Sequence, residues 1–354
     1  MQKIKILCES ASLTDIRNQI ADPDILHEDD KGIWSLNAGI EIAKNSTLFI
    51  NPTDTSWLKI IGTEDGKSPH VIRVFGSLKI DSVKLTSWNS STNDYARSQD
   101  SDRDGKDVNI GTPRPYIVVD NEATGTTDIT NSEIAYLGYE SGYGGGRTGL
   151  RYEGGQGSTL SGNNIHHLYF GLYTREVGGM LIENNHIHHN IHYGLDPHTG
   201  THDMTIRNNT VHDNGSIGII CSLDCYGILI EGNEVYNNTK MGMMFSRNMY
   251  DSVARDNVIN NEDRGIVISE SHNNEIYDNI VSDSGSGIDV DDESFENVVY
   301  DNIVSDSGSG IDVESLENVV YDNIVANNRD IHEDAMDETT KNKYMVSYHV
   351  SEVK

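Results

Sequence analysis

Apolar residues return along the second half of the chain at intervals of just over twenty residues, with polar residues between them. One column runs through Ile187, Val211, Val235, Ile259, Val281, Val304 and Val325, each two residues after an asparagine: Asn185, Asn209, Asn233, Asn257, Asn279, Asn302 and Asn323. A second column precedes the same asparagines by three, as Ile182, Ile206, Ile230, Ala254, Ile276, Val299 and Val320. A third follows a repeated glycine, as Leu172, Leu195, Ile219, Met243, Ile266, Ile288 and Ile311. Around these positions apolar and polar residues alternate with period two, the mark of short strands with one buried face. One such coil cannot bury its apolar face alone, but a stack can. No helical segment or leucine-rich consensus accompanies the repeat. The pattern predicts an all-β chain folded as a right-handed parallel β-helix, with coils about 4.8 Å apart. The asparagines are expected to satisfy turn backbone groups and to ladder through their side chains.

The stretches Tyr277–Asp291 and Tyr300–Glu314 are near copies that extend the stack, and their acidic residues read as solvated turns. The first half is less regular. Early strands are expected at Trp34–Ile42, Trp57–Ile60, Val71–Ile80, Val83–Trp88, Tyr116–Val119 and Ile129–Leu137. A polar excursion over residues 89–112 and a Gly-rich one over 140–162 are expected to leave the coil path as side loops. The organisation predicted is one continuous β-helix over residues 1–328, irregular before about 163 and regular from about 165. Residues 329–354 are expected to cap its end.

Charge narrows the partners. A formal net charge of −30 argues against a nucleic-acid backbone or an anionic membrane surface. No apolar run is long enough to insert into a bilayer, and no secretory signal is visible at Met1. Cys8, Cys221 and Cys225 suggest neither a disulfide framework nor a zinc set; at least one buried thiol is expected.

Candidate chemistry emerges when the coils are aligned. Arg175, His198, Ser222 and Ser246 each stand four residues after their repeat glycine, and Arg247 and Glu270 stand five after theirs. Stacking is expected to gather them on one outer wall. An imidazole such as that of His198 can exchange protons near neutrality, Asp196 can orient it, hold a cation or suppress ionisation of an incoming carboxylate, and the two arginines can meet an anion. Tyr193 offers a phenolic proton, and His192 rivals His198 for proton transfer. His166, His167, His186, His188 and His189 enrich the preceding coils. Strand alternation is expected to send some of them apart, and a sugar-binding wall suits them better than a structural metal site.

The run Tyr193-Gly194-Leu195-Asp196-Pro197-His198 resembles the YG-x-DPH signature of the mannuronan C-5 epimerase family. Phe170–Tyr173, Glu176, Asn190, Asn209–His212 and Gly265–Ser271 are similar to that family too, so the likeness covers most of residues 130–325. The resemblance implies a parallel β-helix that inverts β-D-mannuronate to α-L-guluronate within a finished polysaccharide. It also implies a place outside the cytoplasm or in the cell envelope, and no organic cofactor. By the same resemblance, Asp196, His198 and Tyr193 would be catalytic, with His192 as an alternative. Arg175, Glu176, Ser222, Asp224, Arg247 and Glu270 would line the substrate. One departure stands out: Ser222-Leu223-Asp224 occurs where the periplasmic branch resembles Ser-Arg-Glu, so Leu223 replaces an arginine. Asp224 is expected to compensate only if the local strand is offset. In the secreted branch a catalytic Asp aligns nearer Ser222.

Such chemistry needs a neutralised carboxylate beside C5, a base to remove the C5 proton and an acid to return one from the opposite face. Two other readings stay open: a polyuronate lyase acting by β-elimination, and a noncatalytic carbohydrate-binding β-helix. The acidic surface makes calcium a possible bridge to an anionic polysaccharide such as alginate. Asp100, Asp102, Asp104 and Asp107 are spaced like part of a calcium loop, although Gly111 stands where an acidic twelfth ligand is expected.

Overall fold

Each coil is shaped by where the chain can bend. In the second half a single left-handed residue precedes every ladder asparagine: Asn208, Gly232, Asp256, Asp278, Asp301 and Asp322 have φ of 52–63°. Gly, Asn and Asp tolerate this region best, so one residue suffices to turn a strand from one sheet into the next. The computed structural model describes residues 2–62, 69–96, 113–140 and 147–328. The strands form a right-handed parallel β-helix with three sheets, called A, B and C in chain order.

The chain divides into two compact units, with the boundary between Tyr193 and Gly194. In the first, Lys3–Ile6 opens sheet A, and the short helix Leu13–Ile20 follows. Ser12 caps this helix in a reciprocal box with Asp15, and Leu13 and Ile16 are buried. Leu26–Asp30 and Ile33–Leu36 pair antiparallel, and every other strand pair described in this unit is parallel. The long early strands expected from sequence divide at corners: Trp34–Ile42 contributes Ile33–Leu36 to sheet C and Gly39–Ile42 to sheet A. The Gly-rich stretch 140–162 corrects a second expectation. Gly149–Tyr152 and Thr159–Ser161 are strands of the helix, paired on both sides. Gly149, at φ 111°, hid the alternation that Leu150, Tyr152 and Leu160 complete from inside the core.

The second unit is regular. Leu195 pairs with Ile219, then Met243, Ile266, Ile288 and Ile311 in unbroken register on sheet A. The first four and Ile288 are fully buried. Val211, Val235, Ile259, Val281, Val304 and Val325 form the matching column on sheet C. The asparagine ladder is present as expected. Asn209 donates its Nδ2 to Asn233 at 2.9 Å, and the chain of donors continues through Asn257, Asn279 and Asn302 to Asn323. Each oxygen also accepts the backbone N–H of the preceding rung's asparagine. A parallel ladder runs Asn214–Asn238–Glu262, so a carboxyl stands where neighbouring coils carry an amide or a hydroxyl. The buried asparagines paired in this way pin the register of the coils that carry them. Cys221 and Cys225 are both buried free thiols. Among the described residues no helix is long and apolar enough to cross a membrane.

Candidate active site

The corner that follows sheet A is built like the others, from left-handed residues, and the candidate chemistry sits on it. Thr199 (φ 33°), Leu223 (66°), Asp224 (59°), Arg247 (54°), Asn248 (66°) and Glu270 (50°) occupy it in successive coils of the second unit. Just before the corner, His198 is in register with Ser222, Ser222 with Ser246, and Ser246 with Ser269. The column expected by counting from the glycines is therefore real for these residues.

Arg247 makes the site compact. It reaches back from its corner, donating from Nε (2.9 Å) and Nη2 (2.6 Å) to Ser222 Oγ, and Nη2 lies 3.1 Å from His198 Nε2. Ser222 is fully buried and Arg247 is exposed. On its other side His198 Nδ1 lies 2.6 Å from Thr199 Oγ1. Arg247 makes no ion pair with a carboxylate among the described residues. Its guanidinium occupies the neighbourhood of residue 222 although residue 223, one position on, is leucine. An arginine from the next coil thus supplies positive charge beside Ser222.

Asp196 is 2% exposed, and its Oδ1 has no hydrogen-bond partner among the described residues. Burial pushes its carboxyl well above the usual carboxylate range, and the Arg247 charge opposes this shift. Cys221, whose thiol burial pushes upward, also feels the Asp196 carboxyl.

Other candidates stand elsewhere. Asp224 does not compensate for Leu223: it is exposed and accepts from Asn248 Nδ2 at 2.7 Å. The left-handed φ of both Leu223 and Asp224 carries that side chain around the corner. Glu270 is exposed, and its backbone N–H donates to Asp291. In the first unit Arg175 and Glu176 are exposed neighbours, 3.6 Å apart. Tyr193 and His192 pack edge to face with centroids 4.0 Å apart, and both lie against Phe170. Asp100, Asp102, Asp104 and Asp107 lie outside the described residues, as does the proposed cap at 329–354.

His192 packs among Tyr169, Phe170 and Tyr193, while His167 (φ 57°) and His189 (53°) stand at left-handed corners beside the other histidines. His166 stacks on His188 at 5.1 Å and His167 on His189 at 5.6 Å. Thr199 was missed from sequence. Its signal was a β-branched residue on a left-handed corner, directly beside the candidate histidine.

The family model for the right-handed beta helix region matches residues 106–223 and 199–344. The chain belongs to this family. No curated protein matches this β-helix. Among solved structures it is similar to the periplasmic alginate epimerase AlgG, at 20% identity and TM-score 0.75, over 91% of this chain and 78% of that one. It is also similar to the AlgE6 A-module of an Azotobacter vinelandii mannuronan C-5 epimerase, at 15% identity and TM-score 0.60, over 84% of each chain. A third likeness is to the Dettilon tailspike protein, at 13% identity and TM-score 0.59, over 90% of this β-helix and 68% of that chain. At these identities the likenesses establish the architecture.

Proposed function

We propose that this β-helix protein is a polyuronate C-5 epimerase, acting on mannuronate residues of an alginate-like polymer. The observation that carries the reading is Arg247. This guanidinium, on the outer wall, has no carboxylate ion-pair partner among the described residues, is anchored by Ser222 and lies beside His198. An anionic sugar is the natural complement of that charge. A hydrogen at C5 becomes removable once the adjacent carboxylate is neutralised, because the departing electron pair can spread into it. Arg247 supplies that neutralisation. His198 removes the proton as general base. A separate acid returns a proton to C5, a role for which the family resemblance nominates Tyr193, with His192 as its rival.

The architecture shared with two alginate epimerases supports the same reaction class, and the periplasmic setting of one of them supports an envelope or extracellular location. A net charge of −30 predicts weak long-range attraction for a polyanion. Activity should therefore rise with moderate salt or with a divalent cation such as calcium.

Incubation with polymannuronate in deuterated water, followed by NMR, tests the proposal. Guluronate should accumulate with deuterium at C5 while chain length is preserved. Unsaturated ends would replace this reading with a lyase. Unchanged polymer across broad salt and calcium conditions would reject both.

A further inference from the structure

We propose that Thr199 is the positioning residue of the site: it accepts the Nδ1 proton of His198 while Arg247 rests on Nε2, so that the two together keep Nε2 the basic nitrogen until a carboxylate draws the guanidinium away. The inference rests on the epimerase reading for its catalytic meaning and on geometry alone for the ring state. A guanidinium has five N–H donors and no acceptor. Arg247 Nη2 lies 3.1 Å from His198 Nε2, so that nitrogen must be the acceptor. A proton there would point at another N–H. The neutral ring therefore carries its proton on Nδ1, which donates to Thr199 Oγ1 at 2.6 Å.

Backbone geometry argues that Thr199 is held there for a purpose. It is a β-branched residue at φ 33°, a region such side chains rarely enter, and its N–H donates to the Ser222 carbonyl at 3.0 Å. The next residue, Gly200 at φ 65°, could have served the corner without strain. Thr201 adds a second brace by donating its hydroxyl to the His198 carbonyl at 2.8 Å.

The arrangement gives the site an order of events. In the free protein Arg247 covers the Nε2 lone pair. An incoming uronate carboxylate competes for the guanidinium, which remains anchored on Ser222 through Nε, and the lone pair is uncovered as the substrate arrives. The C5–H bond then breaks and an Nε2–H bond forms, while the electron pair passes toward the carboxylate. The resulting imidazolium keeps its Nδ1–H on Thr199.

The test uses full-length protein with 15N-labelled histidine, locating the His198 ring signals by their loss in His198→Gln. Long-range proton–nitrogen correlation at neutral pH should show an unprotonated Nε2 and a protonated Nδ1. Thr199→Val should shift the ring toward the other tautomer and lower kcat on the order of 10- to 100-fold, with KM little changed, while Thr199→Ser keeps both at wild-type values. Thr199→Gly guards against a folding defect, since it relieves the strained φ yet should show the same shift. An Nε2–H ring in the wild type, or unchanged kcat in both Val and Gly variants, overturns the proposal. A wild type with the expected ring but no epimerisation sinks the epimerase reading and leaves the tautomer assignment standing.

Discussion

Two arginines of the second unit, 17 positions apart in neighbouring coils, have opposite fates. Arg264 opens a strand of sheet A and is locked to Asp289, whose carboxylate lies 2.6 Å from Nε. Arg247, at the corner of the preceding coil, meets a serine and an imidazole instead. Their places in the coil differ. Arg264 reaches forward to Asp289 of the next coil, and Asp289 is in register with a second acidic residue, Asp312. Arg247 stands at a left-handed corner and reaches back to Ser222 and His198 of the two preceding coils. A repeated scaffold thus makes one arginine a surface strut and leaves the other's charge available to a ligand. The first unit repeats the strut pattern in Arg73–Asp120, Lys84–Glu133 and Arg151–Glu153.

Removing the base should break the comparison hardest. His198→Gln is expected to lower turnover on polymannuronate by roughly 10²-fold or more; near-wild-type turnover by the folded variant would reject its role. Next, Arg247→Gln should lower kcat/KM on the order of 10²-fold, and Arg247→Lys should recover only part, since an ammonium lacks the guanidinium fork. Arg264→Gln is the matched control and should change kcat/KM less than about threefold, because exposed ion pairs contribute little. Equal losses at both arginines would erase the distinction drawn here.

Two stability effects probe the scaffold. Asn257 is buried, donates to Ile230 O and Asn279 Oδ1, and accepts two hydrogen bonds from Asn233. Asn257→Leu should cost about 2–3 kcal/mol in denaturant unfolding, since it strands buried partners on both neighbouring coils. Glu262 is the ladder rung that can ionise. It is 5% exposed, Oε1 accepts from Asn238, Oε2 has no partner, and burial raises its pKa from 4.5 to about 8. Between those two values the folded state holds the proton that the unfolded chain has released, so stability falls as pH rises through that window. Glu262→Gln should remove the slope. The variant should gain on the order of 4 kcal/mol over wild type between pH 4 and pH 9. Parallel unfolding curves for the two proteins across that range would contradict a neutral buried acid.

Legibility followed periodicity. Columns such as Leu195–Ile219–Met243 were readable because inward residues recur in every coil. The helix Leu13–Ile20 and the antiparallel pair around Ile33 occur once each, so no repetition announced them. The strands Gly149–Tyr152 and Thr159–Ser161 were read as a loop because glycine broke the alternation. The counted column at His198, Ser222 and Ser246 was correct, whereas Asp224 was not where an offset strand would have carried it. A left-handed corner redirects a side chain in a way that residue spacing does not encode.

By itself the sequence determined a right-handed stack of three-stranded coils, its asparagine ladders and the position of a DPH interruption. These follow from local alternation and a repeat, properties that each coil expresses without knowledge of the others. Only the tertiary structure decided that Arg247 reaches His198 from 49 residues away, that the Asp196 carboxyl is buried, and that Thr199 Oγ1 lies at hydrogen-bond distance from the imidazole. Each depends on side chains from different coils, or from either side of a corner, meeting at hydrogen-bond distance. Stacking sets such distances only once the whole sheet has formed.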